Sequence, residues 1–198
     1  MTTIQTEIVA FQSRKALKGS GVVAGRAVAI AFLPLVALLS LFYLPLILLS
    51  SNEFPIWRQK RVGFQGKDIL VPKFSTMNLD ASGSLQETWF GRLVRPVGLD
   101  EILQIWLIAT GDMQWYGPRP FLRKHITDEY IESVLAFTRP GFINSRSIAT
   151  GIGNRALQGG LVRVDEMIQY DRNDLQSWSS LYAARLLIQT VFCIFKLA

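Results

Sequence analysis

Four groups of residues in this chain could carry chemistry. Arg58-Gln59-Lys60-Arg61-Val62-Gly63 stands shortly before Lys73-Phe74-Ser75-Thr76-Met77, and Arg95 precedes Leu99-Asp100-Glu101. Gly111-Asp112-Met113 leads to Gly117-Pro118-Arg119-Pro120, and Arg139-Pro140-Gly141 closes the series. Arginines 95, 119 and 139 each abut a proline, which presets their backbone and allows the guanidinium fork to be aimed. Such forks match phosphate oxygens. A carboxylate among phosphate-binding arginines can be a nucleophile or a magnesium ligand. Each group taken singly also has a structural explanation. Acids in a first helical turn suit the helix dipole, Gly-Pro-Arg-Pro can be a stiff turn, and basic clusters are commonly solvated faces. Their conjunction is what points to a phosphate-bearing substrate. Adjacent helical positions point about 100° apart, so Asp100 and Glu101 are expected to play distinct roles. His125, the single histidine, sits in a charged run and reads as a surface residue. The chain has no evident Ser-His-Asp set, no P-loop and no G-x-G-x-x-G after a strand.

The composition sets the surroundings of these residues. Of 198 residues, 49% are hydrophobic and 18% charged, and the mean hydropathy is +0.26. That balance excludes intrinsic disorder and disfavours an ordinary soluble domain. With 21 Lys and Arg against 15 Asp and Glu, the net charge is +6, which suits anionic lipid, phosphate or nucleic acid. Nucleic acid is the poorest of these, because the positive charges are dispersed and no recognition motif is present. Cys193 is the single cysteine, so neither an internal disulfide nor a cysteine-based zinc site can form, and a reducing compartment is expected.

The elements that must hold the chemical groups begin with a membrane segment. Ala27 to Leu49 carries no charge and only Ser40 as a clearly polar residue. As a helix it would measure about 35 Å, long enough to cross a bilayer, and it reads as a retained segment rather than a cleaved signal. Pro34 and Pro45 lie inside it. Arg14, Lys15, Lys18 and Arg26 precede it and Arg58, Lys60, Arg61 and Lys67 follow, so the flanks give no orientation bias. A single kinked span and a re-entrant hairpin with both ends cytoplasmic both fit, and the residues alone favour the span. Beyond it, 56–63 and 69–74 read as strands joined by a turn at Gly63 and Gly66, followed by a polar loop over 78–90. A helix is expected from Leu99 to Thr110, stopped by Gly111, then a rigid turn from Trp115 to Pro120. A second helix runs from Thr127 to Phe137, 141–160 is loop-rich, and a final apolar helix covers Ser179 to Phe195. The expected organisation is a basic arm (1–20), a membrane helix (21–51) and a catalytic domain (52–198).

These pieces, in this order, resemble the bacterial sugar transferase family, the monotopic phosphoglycosyl transferases. The resemblance runs from about Trp57 to Gly141, with the membrane segment in the corresponding place. It implies a small α/β, mostly α, cytoplasmic domain resting on the bacterial inner membrane, with a re-entrant, proline-broken helix in place of the span. It also implies transfer of a sugar 1-phosphate from a nucleotide sugar, usually a UDP-sugar, to polyprenyl (undecaprenyl) phosphate, which starts lipid-linked glycan assembly. By resemblance Asp100 is the nucleophile and Glu101 belongs to a Mg2+ site. Arg95 and Arg119 lie near phosphate, with Lys73 and Arg139 as further substrate-binding candidates. A homodimer is left open, and a catalytically degenerate membrane scaffold is the alternative. The chain departs from the family pattern in its proline spacing, with Pro34 and Pro45 where one break is expected, and in three further places. Gly98 stands where Ser usually precedes Leu-Asp-Glu, Ser75 replaces a cation, and 142–151 does not follow the usual Ile/Leu-Thr-Gly continuation.

Overall fold

The computed structural model describes residues 19–51, 53–80, 82–144, 164–176 and 179–197. The apolar run forms helix α1 (Gly19–Ser50), the one described helix long and apolar enough to cross a membrane. Its 32 residues give a length of about 48 Å. The expected proline break is not seen: α1 continues past both Pro34 and Pro45. A proline removes one backbone bond and disturbs one turn, and the bonds of the flanking turns carry the helix onward.

Along α1, Ala29, Val36, Tyr43 and Ile47 are buried, at spacings that put them on one face. Leu35, Leu38, Leu41, Phe42 and Leu48 are exposed. The buried stripe packs lengthwise on the rest of the protein. Ala29 and Val36 meet Ile69, Val71, Ile105, Ile108 and Met113, while Tyr43 and Ile47 meet Phe74, Phe90 and Val94. Polar ties close both ends. Trp115 Nε1 donates to the Gly25 carbonyl at 2.8 Å and Arg26 Nε to the Ala109 carbonyl at 3.1 Å. At the far end Ser51 Oγ donates to Asn78 Oδ1 at 2.7 Å, and Asn78 Nδ2 donates to the Ser50 carbonyl at 3.2 Å.

The rest is mostly helical with three small two-stranded sheets among the described residues. Strands β1 (Ile56–Val62) and β2 (Asp68–Phe74) form the expected antiparallel ribbon, in the register Trp57↔Lys73, Gln59↔Val71 and Arg61↔Ile69. The stretch read as a polar loop over 78–90 instead contains a hairpin, β3 (Met77–Leu79) and β4 (Leu85–Glu87), and the start of helix α2 (Trp89–Val94). Three-residue strands hold too few alternations for periodicity to register. Their turn is closed by the Asp80 carboxylate, which accepts from the N–H groups of Ser82 and Ser84 at 2.8 and 2.9 Å.

The helix expected over 99–110 begins as a 3-10 helix (Leu99–Gln104) and continues as α3 (Ile105–Thr110), with Gly111 ending it at φ 92°. The rigid turn after it opens with β5 (Gln114–Tyr116), which pairs in parallel with β6 (Gly141–Ile143), where only loop was expected. Thr127 caps α4 (Asp128–Tyr130), which passes into a π-helical turn (Ile131–Leu135), so the second expected helix is present but irregular. His125 is exposed in a 3-10 turn. Helix α5 (Val164–Gln176) was not anticipated, whereas α6 (Ser180–Leu197) is the expected final helix. Tyr130 and Tyr182 donate hydroxyl bonds to Asp171 and Asp174 of α5, clipping it between α4 and α6. Most of the basic arm, residues 1–18, and the stretch 145–160 lie outside the described residues.

Candidate active site

Asp100 and Glu101 are placed by the start of the 3-10 helix. Gly98 precedes it at φ 72°, in the left-handed region where glycine is the favoured residue, and turns the chain into the helix. The two carboxylates face different surroundings, as adjacent helical positions must. Asp100 is buried, at 9% exposure. Burial, and then the neighbouring Glu101 charge, push its pKa up to about 6, against the opposing pull of Lys73 and Arg95. For Glu101, burial also disfavours the charge. Here Arg119 and Lys73, with a side-chain hydrogen bond from Gln104, outweigh it and bring the pKa down to about 2. Lys73 Nζ and Arg119 Nη2 both meet Glu101 Oε1, the latter at 2.9 Å. Near neutral pH Glu101 is a fixed anion, and Asp100 is a carboxylate whose ionised form is held at raised energy.

Glu101, Lys73 and Arg119 line a small cleft together with Arg61, Val71, Gln104, Pro120, Gly141, Phe142 and Asn144, whereas the buried Asp100 is not among its lining residues. Arg61, Val71 and Lys73 reach it because alternate residues of β1 and β2 share a face. Gln104 reaches it because residues three apart eclipse in a 3-10 helix, which sets it directly along from Glu101. Arg119 arrives on the turn after β5, and its position depends on two glycines. A Cβ on Gly141 would lie 2.0 Å from Gly117 N, and one on Gly117 would lie 2.7 Å from the Arg139 carbonyl. Only with hydrogen at both positions can the Gly117-Pro118-Arg119-Pro120 and Arg139-Pro140-Gly141 segments cross. They are laced there by Gly141 N–H to the Pro118 carbonyl at 2.8 Å and Gln114 N–H to the Pro140 carbonyl at 2.9 Å.

Of the residues singled out from sequence, Asp100, Glu101, Lys73 and Arg119 come together. Arg95 stands beside them: its charge acts on Asp100 while its Nε donates to Glu87 Oε1 at 3.0 Å. Arg139 does not line the cleft, and its guanidinium lies over the Phe64 ring, 5.0 Å from the centroid. Gly111-Asp112-Met113 serves the scaffold. Gly111 ends α3, Asp112 accepts from Thr110 Oγ1 at 2.9 Å, and Met113 is buried in the core. Gln104, Asn144 and Glu87 were not among the candidates, and Arg61 stood in the first group without a role of its own. Strand alternation was the available signal for Arg61, and a 3-10 period would have pointed to Gln104.

Magnesium takes one or two carboxylates, keeps several waters and completes its shell with substrate phosphate. Among the described residues no group of three His, Cys, Asp or Glu could form a fuller cage. An ionised Glu101 on the cleft wall, with both cationic partners on one oxygen, fits that sparse donor set.

The cleft sets Glu101 among Arg61, Lys73 and Arg119, in a protein whose long apolar helix packs on the same core as Val71 of the cleft wall. Among known families, the bacterial sugar transferase model matches residues 21–197, and the chain belongs to that family. It is 29% identical over 175 residues to UDP-glucose:undecaprenyl-phosphate glucose-1-phosphate transferase of Caulobacter vibrioides, covering 78% of this chain and 64% of the relative. The Escherichia coli protein of the same name is 27% identical over 160 residues, covering 73% of this chain and 33% of that protein. A putative undecaprenyl-phosphate N-acetylgalactosaminyl 1-phosphate transferase of Bacillus subtilis is 33% identical over 116 residues, 54% of this chain and 62% of that one. The chain thus spans under two thirds of the length of each of these curated relatives.

Proposed function

We propose that the protein transfers a sugar 1-phosphate from a nucleotide sugar, in the first instance a UDP-sugar, to polyprenyl phosphate, and so starts assembly of a lipid-linked glycan. The observation that carries this reading is the pairing of a buried Asp100 with a Glu101 fixed as an anion by Lys73 and Arg119. An Asp100 carboxylate oxygen attacks the sugar-proximal phosphorus. A P–O bond forms, the bond to the bridging oxygen breaks, and the nucleoside monophosphate leaves. A phosphate oxygen of polyprenyl phosphate then attacks the same phosphorus, and the aspartyl P–O bond breaks to restore the carboxylate. Neither step requires a general base, because both nucleophiles are already anionic. Burial holds the Asp100 charge away from stabilising water, and Lys73, Arg95 and Arg119 supply the positive field an anionic phosphoryl group needs. Glu101 would hold magnesium, which supplies further positive charge at the phosphate oxygens when bound.

The site's place is the cytoplasmic face of the bacterial inner membrane, with α1 embedded from that side only. The polar ties of Arg26 and Ser51 support this, since they join both ends of the apolar helix to one domain. A single cysteine near residue 10, in a Cys193→Ser background, should be protected from a membrane-impermeant reagent added outside; labelling from outside would rule this topology out.

The reaction is tested by release of UMP from a panel of UDP-sugars, using purified protein, magnesium and undecaprenyl phosphate. Release with one sugar is expected, with loss in Asp100→Asn and on chelation of the metal. Full turnover by Asp100→Asn would sink the aspartyl mechanism. Silence across UDP-sugars and then other nucleotide sugars would leave the non-catalytic scaffold reading.

A further inference from the structure

Arg61 has no part in the reaction as proposed, yet its placement is unfavourable. It lines the cleft beside Arg119, and burial together with the Arg119 charge lowers its pKa, opposed by Glu101. Two guanidinium groups side by side in a poorly solvated cleft repel each other. Its hydrogen bonds show what offsets this. Nε donates to Gln59 Oε1 at 3.0 Å, Nη2 donates to the same oxygen, and Nη1 donates to the Pro120 carbonyl at 3.0 Å. Gln59 and Arg61 are two apart on β1 and share a face, so the strand itself presents the grip. One residue on, the Val62 N–H donates to the Phe121 carbonyl at 2.8 Å. Arg61 and Val62 therefore staple Pro120-Phe121 to the end of the β1–β2 ribbon. Immediately before the staple stands Arg119, with its Nη2 on Glu101. Pro118 and Pro120 restrict the backbone around Arg119, but they do not set where that segment lies relative to the 3-10 helix. The staple does.

We infer that Arg61 is a positioning residue: it anchors the Pro120 carbonyl so that Arg119 meets Glu101, and it acts through Arg119 rather than on the substrate. The kinetic part of this inference rests on the proposed transferase reaction. Lysine would keep the charge at position 61 but lacks the planar fork, whose separate nitrogens reach Gln59 on one side and Pro120 on the other.

The experiment has two arms on the full chain. In the first, UMP release is followed for Arg61→Lys, for Gln59→Ala, which leaves every charge in place, for Arg119→Lys, and for Arg61→Lys combined with Arg119→Lys. Arg61→Lys should lower kcat about 10- to 100-fold, as a misplaced catalytic group does, with the donor KM changed by less than about threefold. Gln59→Ala should fall in the same direction, and the double variant should be no worse than Arg119→Lys alone. Wild-type kcat in Arg61→Lys, a rise confined to KM, or losses that multiply in the double variant would each overturn the inference. In the second arm, thermal unfolding is measured for Arg61→Met, Arg119→Met and both together. If Arg61 holds Arg119 in place, the double loss is smaller than the sum of the single losses. Simple repulsion between the two makes it larger and independence makes it additive, and either result rejects the staple. The second arm needs no turnover, so a wild-type protein inactive with every donor would count against the reaction while the stability cycle still decides the role of Arg61.

Discussion

Replacing Asp100 by Asn should stabilise the protein while it abolishes turnover. The magnitude follows from the site. Asp100 is 9% exposed, and its pKa rises from 3.8 to about 6, chiefly through burial. At about 1.4 kcal/mol per pH unit, the ionised side chain costs the folded state about 3 kcal/mol. The sign works as follows for an acid whose folded pKa is raised. Between about pH 4 and 6 the folded state binds the proton more readily than the unfolded chain. The cost is therefore fully present above about pH 6 and is relieved as the pH falls towards 4. Asparagine is neutral throughout, so its advantage should be about 3 kcal/mol at pH 8 and should vanish near pH 4. For a chain of this size that corresponds to a Tm roughly 6–12 °C higher at pH 8. The neighbouring residue supplies the opposite case. Glu101 has its pKa lowered to about 2, so its charge contributes stability that is present above about pH 4.5 and is lost as the pH falls through 2. Glu101→Gln should thus lower stability by about 3 kcal/mol at pH 7. The assay is thermal unfolding of the purified full chain in one detergent from pH 4 to pH 8, for wild type and both variants. An Asp100→Asn variant less stable than wild type at pH 8, or an advantage that does not change with pH, would refute the reasoning.

Three further outcomes are expected. Turnover should rise with pH through about 6 as Asp100 ionises, falling tenfold per unit below it, and a flat UMP-release profile from pH 5 to 8 would contradict a nucleophilic Asp100. Lys73→Met leaves Glu101 with Arg119 and Gln104 and removes a cation from the cleft. It should lower kcat by at least about 100-fold in the same assay, and a loss below tenfold would show that Lys73 contributes little. Gly141→Ala drives a methyl group into the Gly117 backbone, so it should destabilise by about 3 kcal/mol or more in thermal unfolding, whereas a wild-type Tm would show that the crossing can open without loss.

Much of the scaffold was legible because its signals are local. The β1–β2 ribbon follows from two β-rich runs around Gly63 and Gly66, and the stop at Gly111 from glycine after an apolar run. The short hairpin at 77–87 and the β5–β6 pairing escaped notice because three residues hold too little pattern. Gly117 and Gly141 stood in the motifs, but the reason for glycine lies in a crossing of segments 24 residues apart. Arg139 looked like Arg95 and Arg119 in sequence, each beside a proline, yet Phe64 takes its guanidinium.

The sequence by itself determined which groups are available: an uncharged apolar helix, a carboxylate pair at a helix start, and arginines beside prolines. Their division of labour was decided only by the tertiary structure. Asp100 and Glu101 are neighbours in the chain with the same chemistry, yet one is driven towards its neutral form and the other is held as an anion. Ionisation depends on desolvation and on charges within a few ångströms. For Glu101 those charges are delivered by Lys73 and Arg119, 28 and 18 residues away, through the strand ribbon and the crossing of two glycine-hinged turns.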